Sequence, residues 1–389
     1  MRQTRNPSDK NLAGLVLAAG LSSRMKGFKP LLDLGGDSVL ARVVGLLQQA
    51  GADPVLVVLG HRAAEMDPLV RRLGAQPVLN PDYEQGMFSS LRAGLAALPG
   101  QCDAFFLLPV DIPLVRPHTL GRLATAWAQG QGPVLHPTFQ GQWGHPPLVA
   151  ARLAPAIMAY EGGGGLRGFW EQNPELAREV PVADRFVLRD LDTPDHYAAL
   201  GAELADYEAP DQAECLALLE GVLGREPALV SHSRAVGRVA GALAKQARAS
   251  GAAVNPALAL AGGLLHDAAK GRRDHPAAGA ALLREMGFAA VAPLAASHVD
   301  ITIAPEAPLS EAELVHLADK LVEGDRRVDL GGRFQAKLER NGRDPGALEA
   351  IQRRWDLARL ISRRVEAALG MGLEDFLAQA QLPVGAKAS

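Results

Sequence analysis

The feature that most constrains this 389-residue chain is a change of texture part-way along it. Up to about residue 200, short apolar runs alternate with amphipathic stretches. Beyond that point the runs vanish and only helical periodicity remains. Residues 12–19, 54–59 and 104–110 are apolar runs of strand length, each followed by Gly or polar residues, as expected of strands buried on both faces of a parallel sheet. Between them, 38–50 places Val39, Leu40, Val43, Val44, Leu46 and Leu47 at helical spacing, and further helices are expected at 62–73 and 89–98. Strands are also expected at 132–136, 145–150 and 186–189. This alternation predicts an α/β sheet with right-handed crossovers, whose ligands bind at the carboxyl ends of strands. Gly20 and Asp111 both fall at such ends.

Residues 202–211 are acidic and contain a proline, and they mark the boundary. After them, Val236, Val239, Ala240, Leu243 and Ala244 form one helical face. A helix over 256–270 would open at Pro256 and close at Gly271, the usual asymmetry. Others are expected at 277–286, 310–322 and 345–369. The chain is too long for one ordinary core. We therefore expect an α/β domain over 12–203 and an all-α domain over 212–385.

Bulk properties exclude several classes. The 40 basic against 43 acidic residues, net −3, make no electrostatic case for nucleic acid. Two cysteines, Cys102 and Cys215, rule out a disulfide framework or a Cys-built zinc site and fit a reducing cytoplasm. The first residues are polar and no apolar run has membrane-spanning length. The expectation is a soluble, cytoplasmic protein.

Two sets of residues carry chemistry. Leu17-Ala18-Ala19-Gly20-Leu21-Ser22-Ser23-Arg24-Met25 follows the first apolar run, with Lys29 just beyond. A glycine that lets backbone N–H groups approach a triphosphate, two hydroxyls and two cations suit phosphate binding. Neither the Walker A pattern nor G-x-G-x-x-G is present, which disfavours P-loop ATPases and dinucleotide dehydrogenases. In the second half, His232, His266-Asp267, His275, His298 and Asp319 form an H…HD…H…H…D series. Imidazole and carboxylate together suit zinc, manganese or iron. On a continuous helix, His266 and Lys270 would share a face. His275 has an alternative role in capping the helix after it, and His316 is not expected to be a ligand.

At 17–25 and Lys29 the chain resembles nucleotidyltransferases of the molybdenum-cofactor type, L-A-A-G-x-S-x-R-M-G-x-x-K, with Lys26 where Gly is expected. Asn80 to Leu91, with Gly86, Ser89 and Ser90, resembles N-x-x-x-x-x-G-M-x-S-S-L of the molybdopterin cytidylyltransferase branch, although the serines equally fit a capping role. Pro109-Val110-Asp111-Ile112-Pro113 matches the family's Mg²⁺-binding D-x-P element, and Gly144-His145-Pro146-Pro147 its substrate-side segment, where His145 reads as a shaping residue. Asp190 to His196 resembles the closing D-x-D-T-P-x-D, with His196 in place of the last Asp. Asp192 then either completes the metal site or, like Thr193, caps the following helix. Glu161 and Gly162 to Gly165 read as a loop able to close over substrate, or as a plain linker. The resemblance implies a Rossmann-like, glycosyltransferase-A-like nucleotidyltransferase domain. In it Leu17, Ala18, Ala19, Gly20, Ser22, Ser23, Gly86, Ser89 and Ser90 bind nucleotide, Arg24 and Lys29 offset charge, and Asp111 and Asp192 bind Mg²⁺. It implies CMP transfer from CTP to a molybdopterin-type phosphate.

The second set resembles the HD phosphohydrolase domain, an all-α helical bundle. Leu264 to Lys270, His298 and Leu317 to Arg326 resemble more particularly the bacterial branch that hydrolyses symmetrical dinucleoside tetraphosphates. That implies two divalent transition ions, iron, manganese or zinc: one held by His232, His266, Asp267 and Asp319, the other by Asp267, His275 and His298. Lys270 and Arg326 would offset phosphate charge. The last helices are expected to form support or a homodimer surface; a molybdoenzyme-maturation protein is the other partner the resemblance implies. Two other readings stay open: transfer to a sugar or alcohol phosphate, and a nucleotide-sensing regulator with a vestigial transferase.

Overall fold

The computed structural model describes residues 11–25, 27–304, 306–341 and 345–380. The departure at Lys26, the polar N-terminal residues and 381–385 of the expected second domain lie outside the described residues. The chain divides into two compact units, Met1–Asp206 and Tyr207–Ser389.

The first unit is α/β. Its strands are β1 (Leu12–Leu17), β2 (Val55–Leu59), β3 (Gln76–Leu79), β4 (Ala104–Pro109), β5 (Val134–Phe139), β6 (Gln142–Trp143), β7 (Leu148–Ala150) and β8 (Ala177–Pro181). They form one mixed sheet in the order β8-β5-β7-β4-β1-β2-β3, with β6 paired to β5. β1, β2 and β4 are buried along their whole length, which explains their unbroken apolar runs. β1 runs parallel to both neighbours, and the register pairs Leu17 with Pro109. That pairing sets the loop after β1 beside Asp111 after β4. Helices α1 (Val39–Gln49), α2 (Ala63–Arg72), α3 (Met87–Ala96), α4 (Pro117–Ala128), α5 (Gly165–Gln172) and α6 (Pro194–Leu204) accompany the sheet, with a short helical turn at Ala154–Met158. Ser38 caps α1 by accepting the Ala41 N–H at 3.2 Å.

The second unit is helical: α7 (Pro227–Ala249), α8 (Pro256–Leu265), α9 (His275–Glu285), α10 (Ala292–Ser297), α11 (Glu311–Lys320), α12 (Leu330–Arg340), α13 (Pro345–Leu369) and α14 (Leu373–Gln379). Its core includes Val236, Leu243, Leu314, Leu317 and Ile361, all fully buried. Helices α7 and α8 cross where Gly263 meets Gly237; a Cβ built on Gly263 would lie 2.7 Å from the Gly237 Cα. Only glycine permits so close a crossing. Ser310 and Glu313 form a reciprocal cap at the start of α11, and Arg364 of α13 binds Glu313 at 2.6 Å.

Two expectations need correcting. Residues 186–189 are not a strand: Arg185–Leu188 is a 3₁₀ turn whose Asp184 carboxylate accepts the Phe186 N–H at 3.0 Å. Phe186 and Val187 are apolar because the turn is buried, and burial carries no pairing information. The helix expected over 256–270 stops at Leu265. Beyond it, Ala268, Lys270 and Arg272 donate to Leu265, Asp267 and Ala269 three residues back, so the chain tightens into successive turns. His266 and Lys270 therefore do not share a helical face. Sequence periodicity also misses the edge strands β3 and β8, which are partly exposed.

Candidate active sites

In the α/β unit three segments meet at the carboxyl edge of the sheet. Ser22 takes a left-handed backbone (φ 53°), and its hydroxyl accepts the Lys29 N–H at 3.1 Å, pinning the loop after β1. The Leu191 N–H donates to the Asp111 carbonyl at 2.8 Å, which brings Asp192 alongside. The Lys29 ammonium then sits 2.6 Å from Asp192 Oδ1 and 3.4 Å from Asp111 Oδ2, while Arg24 reaches Asp192 Oδ2 at 2.6 Å. Thr193 caps α6 by accepting the His196 N–H at 3.2 Å, so Asp192 is free for the ion pairs. His196, in place of the family's Asp, lies 3.0 Å from Asp190.

The two carboxylates are not equivalent. Burial pushes the Asp111 carboxyl up, with Lys29 opposing it, whereas the Lys29 hydrogen bond holds Asp192 down. Two neighbouring carboxylates, one of them partly buried, suit a hard cation such as Mg²⁺.

A cleft of about 370 Å³ runs beside these groups, lined by Ala19, Gly20, Ser23, Lys29, Ser90 and Asp111 among others. Leu17 and Ala18 form its floor and are buried. A Cβ at Gly20 would meet nothing within 4 Å, so the protein's own packing does not demand glycine there. Gly86 is left-handed (φ 100°) and starts α3. Ser89 is the third residue of α3, with its hydroxyl 2.9 Å from the Asp82 carbonyl and 2.8 Å from that of Gly86. Asn80 donates to Ser89 at 2.9 Å and Ser90 at 3.0 Å, an ordering role that the sequence alone does not reveal. Neither serine is the N-cap. Gly164 and Gly165 open α5 instead of forming a featureless linker.

In the helical unit the series converges. His232 lies on α7, His266 and Asp267 in the turns after α8, His275 at the first position of α9, His298 just past α10 and Asp319 on α11. His232, His266 and Asp267 form one group of ligand atoms within 4.8 Å of one another, and Asp267, His275 and His298 form a second. Asp267 belongs to both. Its Oδ1 lies 3.3 Å from His275 Nε2 and 3.4 Å from His298 Nε2, and its Oδ2 lies 3.5 Å from His266 Nε2. Asp319 Oδ1 borders the first group, 3.4 Å from His232 Nε2 and 3.7 Å from His266 Nε2. Atoms bound about 2.0–2.2 Å from one ion are separated from each other by roughly these amounts.

The rings are set for metal by the backbone. His232, His266 and His298 turn Nδ1 to the carbonyls of Gly324, Gly263 and Ala295 at 2.8, 2.7 and 2.6 Å. Nδ1 must carry the proton in each such bond, leaving the Nε2 lone pair facing the cluster. His266 Nε2 is buried without any hydrogen-bond partner, an atom that calls for a ligand. Sequence reasoning had no access to these carbonyls. Burial alone would raise the Asp267 carboxyl, but its polar and charged neighbours hold it below its ordinary range. Lys270 binds Asp267 Oδ2 at 2.5 Å. Asp319 is likewise held down, against its burial, by the Lys320 ammonium. His275 does not cap α9; its ring faces His298 at 3.2 Å between Nε2 atoms. His316 is fully buried and belongs to neither group. Arg326 is exposed and lies 3.8 Å from Asp325.

Comparison with known proteins finds a match for each unit. The model of the MobA-like NTP transferase domain matches residues 14–178, and that of the HD domain matches 229–323. Nicotine blue oxidoreductase of Paenarthrobacter nicotinovorans is 30% identical over 192 residues, 47% of this chain and 92% of that protein. Molybdenum cofactor cytidylyltransferase of Escherichia coli is 26% identical over 185 residues, again 47% and 92%. A probable molybdenum cofactor guanylyltransferase of Opitutus terrae is 35% identical over 125 residues, 32% of this chain and 59% of that protein. Among the described residues no helix is long and apolar enough to cross a membrane. The chain belongs to the MobA-like nucleotidyltransferases and carries, after that domain, an HD domain of the metal-dependent phosphohydrolase family.

Proposed function

We propose a bifunctional enzyme. Residues 12–203 transfer CMP from CTP to the phosphate of a molybdopterin-type acceptor and release pyrophosphate; residues 212–385 hydrolyse a phosphate ester or anhydride of a nucleotide. The observation that carries the first activity is one ammonium, Lys29, bonded to both Asp111 and Asp192 at the edge of the cleft behind Gly20. Backbone N–H groups of the loop after β1 receive the triphosphate. Asp111 and Asp192 would hold Mg²⁺, which supplies charge neutralisation at the phosphate oxygens. Arg24 and Lys29, released from the carboxylates, offset the charge of the departing pyrophosphate. This is positioning plus electrostatics, with no covalent intermediate. Resemblance of Asn80 to Leu91 to the cytidylyltransferase branch supports CTP.

In the helical domain His232, His266, Asp267 and Asp319 would hold one transition ion, and Asp267, His275 and His298 the other. Such ions supply an acidified water for attack on phosphorus. Lys270, tied to Asp267, is placed to offset phosphate charge.

Pyrophosphate release measured with each of the four nucleoside triphosphates, with and without molybdopterin, tests the transferase. The expected result is acceptor-dependent release with CTP that Asp111→Asn abolishes. Near-normal release by Asp111→Asn overturns the assignment, and clear preference for GTP moves the chain to the guanylyl branch.

A further inference from the structure

Beside the nucleotide cleft lies a second, larger cavity of about 810 Å³. It shares Leu17, Met87 and Pro109 with the cleft, so whatever fills it lies next to the phosphate-binding loop. Its character is different. Phe88, Leu91, Leu107, Leu166 and Trp170 supply apolar walls. Its charged side chains, Arg167 and Glu171, neutralise each other at 2.9 Å and are largely exposed. A sugar buried here would leave hydroxyls against hydrocarbon, at a cost of roughly 1–3 kcal/mol for each one unpaired.

One wall is a built aromatic pair. Trp143 stacks on His136 with ring centroids 4.2 Å apart and planes 13° apart, and Trp170 meets His136 edge-on at 6.0 Å. The Trp143 indole N–H donates to Glu179 at 2.9 Å, which fixes the ring. Yet Trp143 stays 45% exposed, unusual for so large an apolar side chain with its orientation fixed. His136 is 5% exposed, and its Nε2 is buried with no hydrogen-bond partner in the chain. Buried polar atoms nearly always find a partner. Burial, with His145 nearby, lowers His136 to about 4, so the ring is neutral at pH 7 and offers a directional hydrogen bond but no charge.

We infer that this cavity holds the ring system of the acceptor, a flat and uncharged heteroaromatic body, with Trp143 as its aromatic wall and His136 Nε2 as the group that reads its polar edge. The inference rests on the transferase reading and narrows it: the phosphate lies toward Lys29 and Asp111, and specificity for the acceptor resides in β5 and β6. A sugar phosphate is disfavoured, because the mainly apolar walls leave most of its hydroxyls without partners.

The test is binding to the full-length protein, followed by tryptophan fluorescence, with 6-hydroxymethylpterin as the probe and glucose 1-phosphate as the comparison. Saturable quenching by the pterin and none by the sugar phosphate is expected. Trp143→Ala should weaken pterin binding by about 10-fold or more, Trp143→Phe should restore most of it, and His136→Phe should lose affinity while keeping the stack. Near-ultraviolet circular dichroism checks that each variant is folded. Pterin affinity unchanged in both Trp143→Ala and His136→Phe overturns the assignment, as does saturable binding of glucose 1-phosphate without binding of the pterin. The two readings fail separately. Pterin binding that depends on Trp143 in a protein without CTP-dependent pyrophosphate release keeps the cavity and discards the transferase. Nucleotidyl transfer to glucose 1-phosphate keeps the transferase and discards the cavity.

Discussion

The α/β and helical sites both pair carboxylates with cations, but only the helical site adds inward-facing imidazoles and leaves one of their nitrogens unpartnered. At the sheet edge, Asp111 and Asp192 share the Lys29 ammonium, and Arg24 closes over Asp192. Each charge has a partner from the chain itself. In the helical cluster, backbone carbonyls fix three imidazoles with Nε2 turned inward, and His266 Nε2 is left without a partner. The first arrangement suits a cation that arrives with a nucleotide and displaces a lysine. The second suits a resident ion. The difference teaches that histidine content alone does not mark a metal centre; what marks it is how the other ring nitrogen is used.

The largest effect that would break this contrast is at Asp267. Because it belongs to both ligand groups, Asp267→Ala should lose bound metal and phosphohydrolase activity together, by more than about 100-fold, since even partners of ligands typically cost 10–100-fold. Nucleotidyl transfer should be largely unaffected. Phosphate release and metal content measured on one preparation check it, and loss of only one of the two would separate ion from activity.

Next comes Asp111→Asn, expected to cost roughly 100-fold or more in nucleotidyl transfer with phosphohydrolysis intact. Lys29→Met removes a charge-assisted pair worth about 1.5–3 kcal/mol, or roughly 10–150-fold in kcat/KM. It should also raise the affinity for Mg²⁺ without nucleotide, because two carboxylates lose their shared cation. Calorimetric titration with Mg²⁺ reads this directly, and unchanged affinity would show that Lys29 does not compete with the ion.

How much of this was legible in the sequence follows from what each signal reports. The runs at 12–17, 55–59 and 104–109 announce themselves because central parallel strands are buried on both faces. β3 and β8 do not, because edge strands show water part of their surface and lose the unbroken run. The order His232, His266-Asp267, His275, His298, Asp319 is readable, since residue type survives in one dimension. The end of α8 at Leu265 is not, because apolar Leu264, Leu265, Ala268 and Ala269 keep helical spacing through turns that are equally buried. The Gly324, Gly263 and Ala295 carbonyls leave no signature, since every residue has one. Asn80 was visible as a motif residue, but its role in ordering Ser89 and Ser90 needed three dimensions.

A further effect, on stability and not on activity, is one the two units share. His136 in the first and His316 in the second are each lowered to about 4, by burial first and then by His145 and Lys320 respectively. Below the ordinary value of 6.5 the unfolded chain binds a proton that the folded one refuses until about pH 4. Stability is therefore lost as pH falls through that window, by at most about 3 kcal/mol for each histidine. Chemical denaturation at pH 7 and pH 5 should show a shallower decline for His316→Phe than for the unaltered protein. An identical decline would show that His316 is not buried neutral.

The central claim is that the helical site holds a resident ion and the sheet-edge site does not. Metal analysis of the full-length protein, purified without chelator and passed through gel filtration in metal-free buffer, tests it most directly. Iron, manganese or zinc should be retained by the unaltered protein and by Asp111→Asn, and absent from Asp267→Ala. A protein that retains none and is not activated for phosphate hydrolysis by Fe²⁺, Mn²⁺ or Zn²⁺, or one whose metal is lost with Asp111 and kept without Asp267, would contradict it.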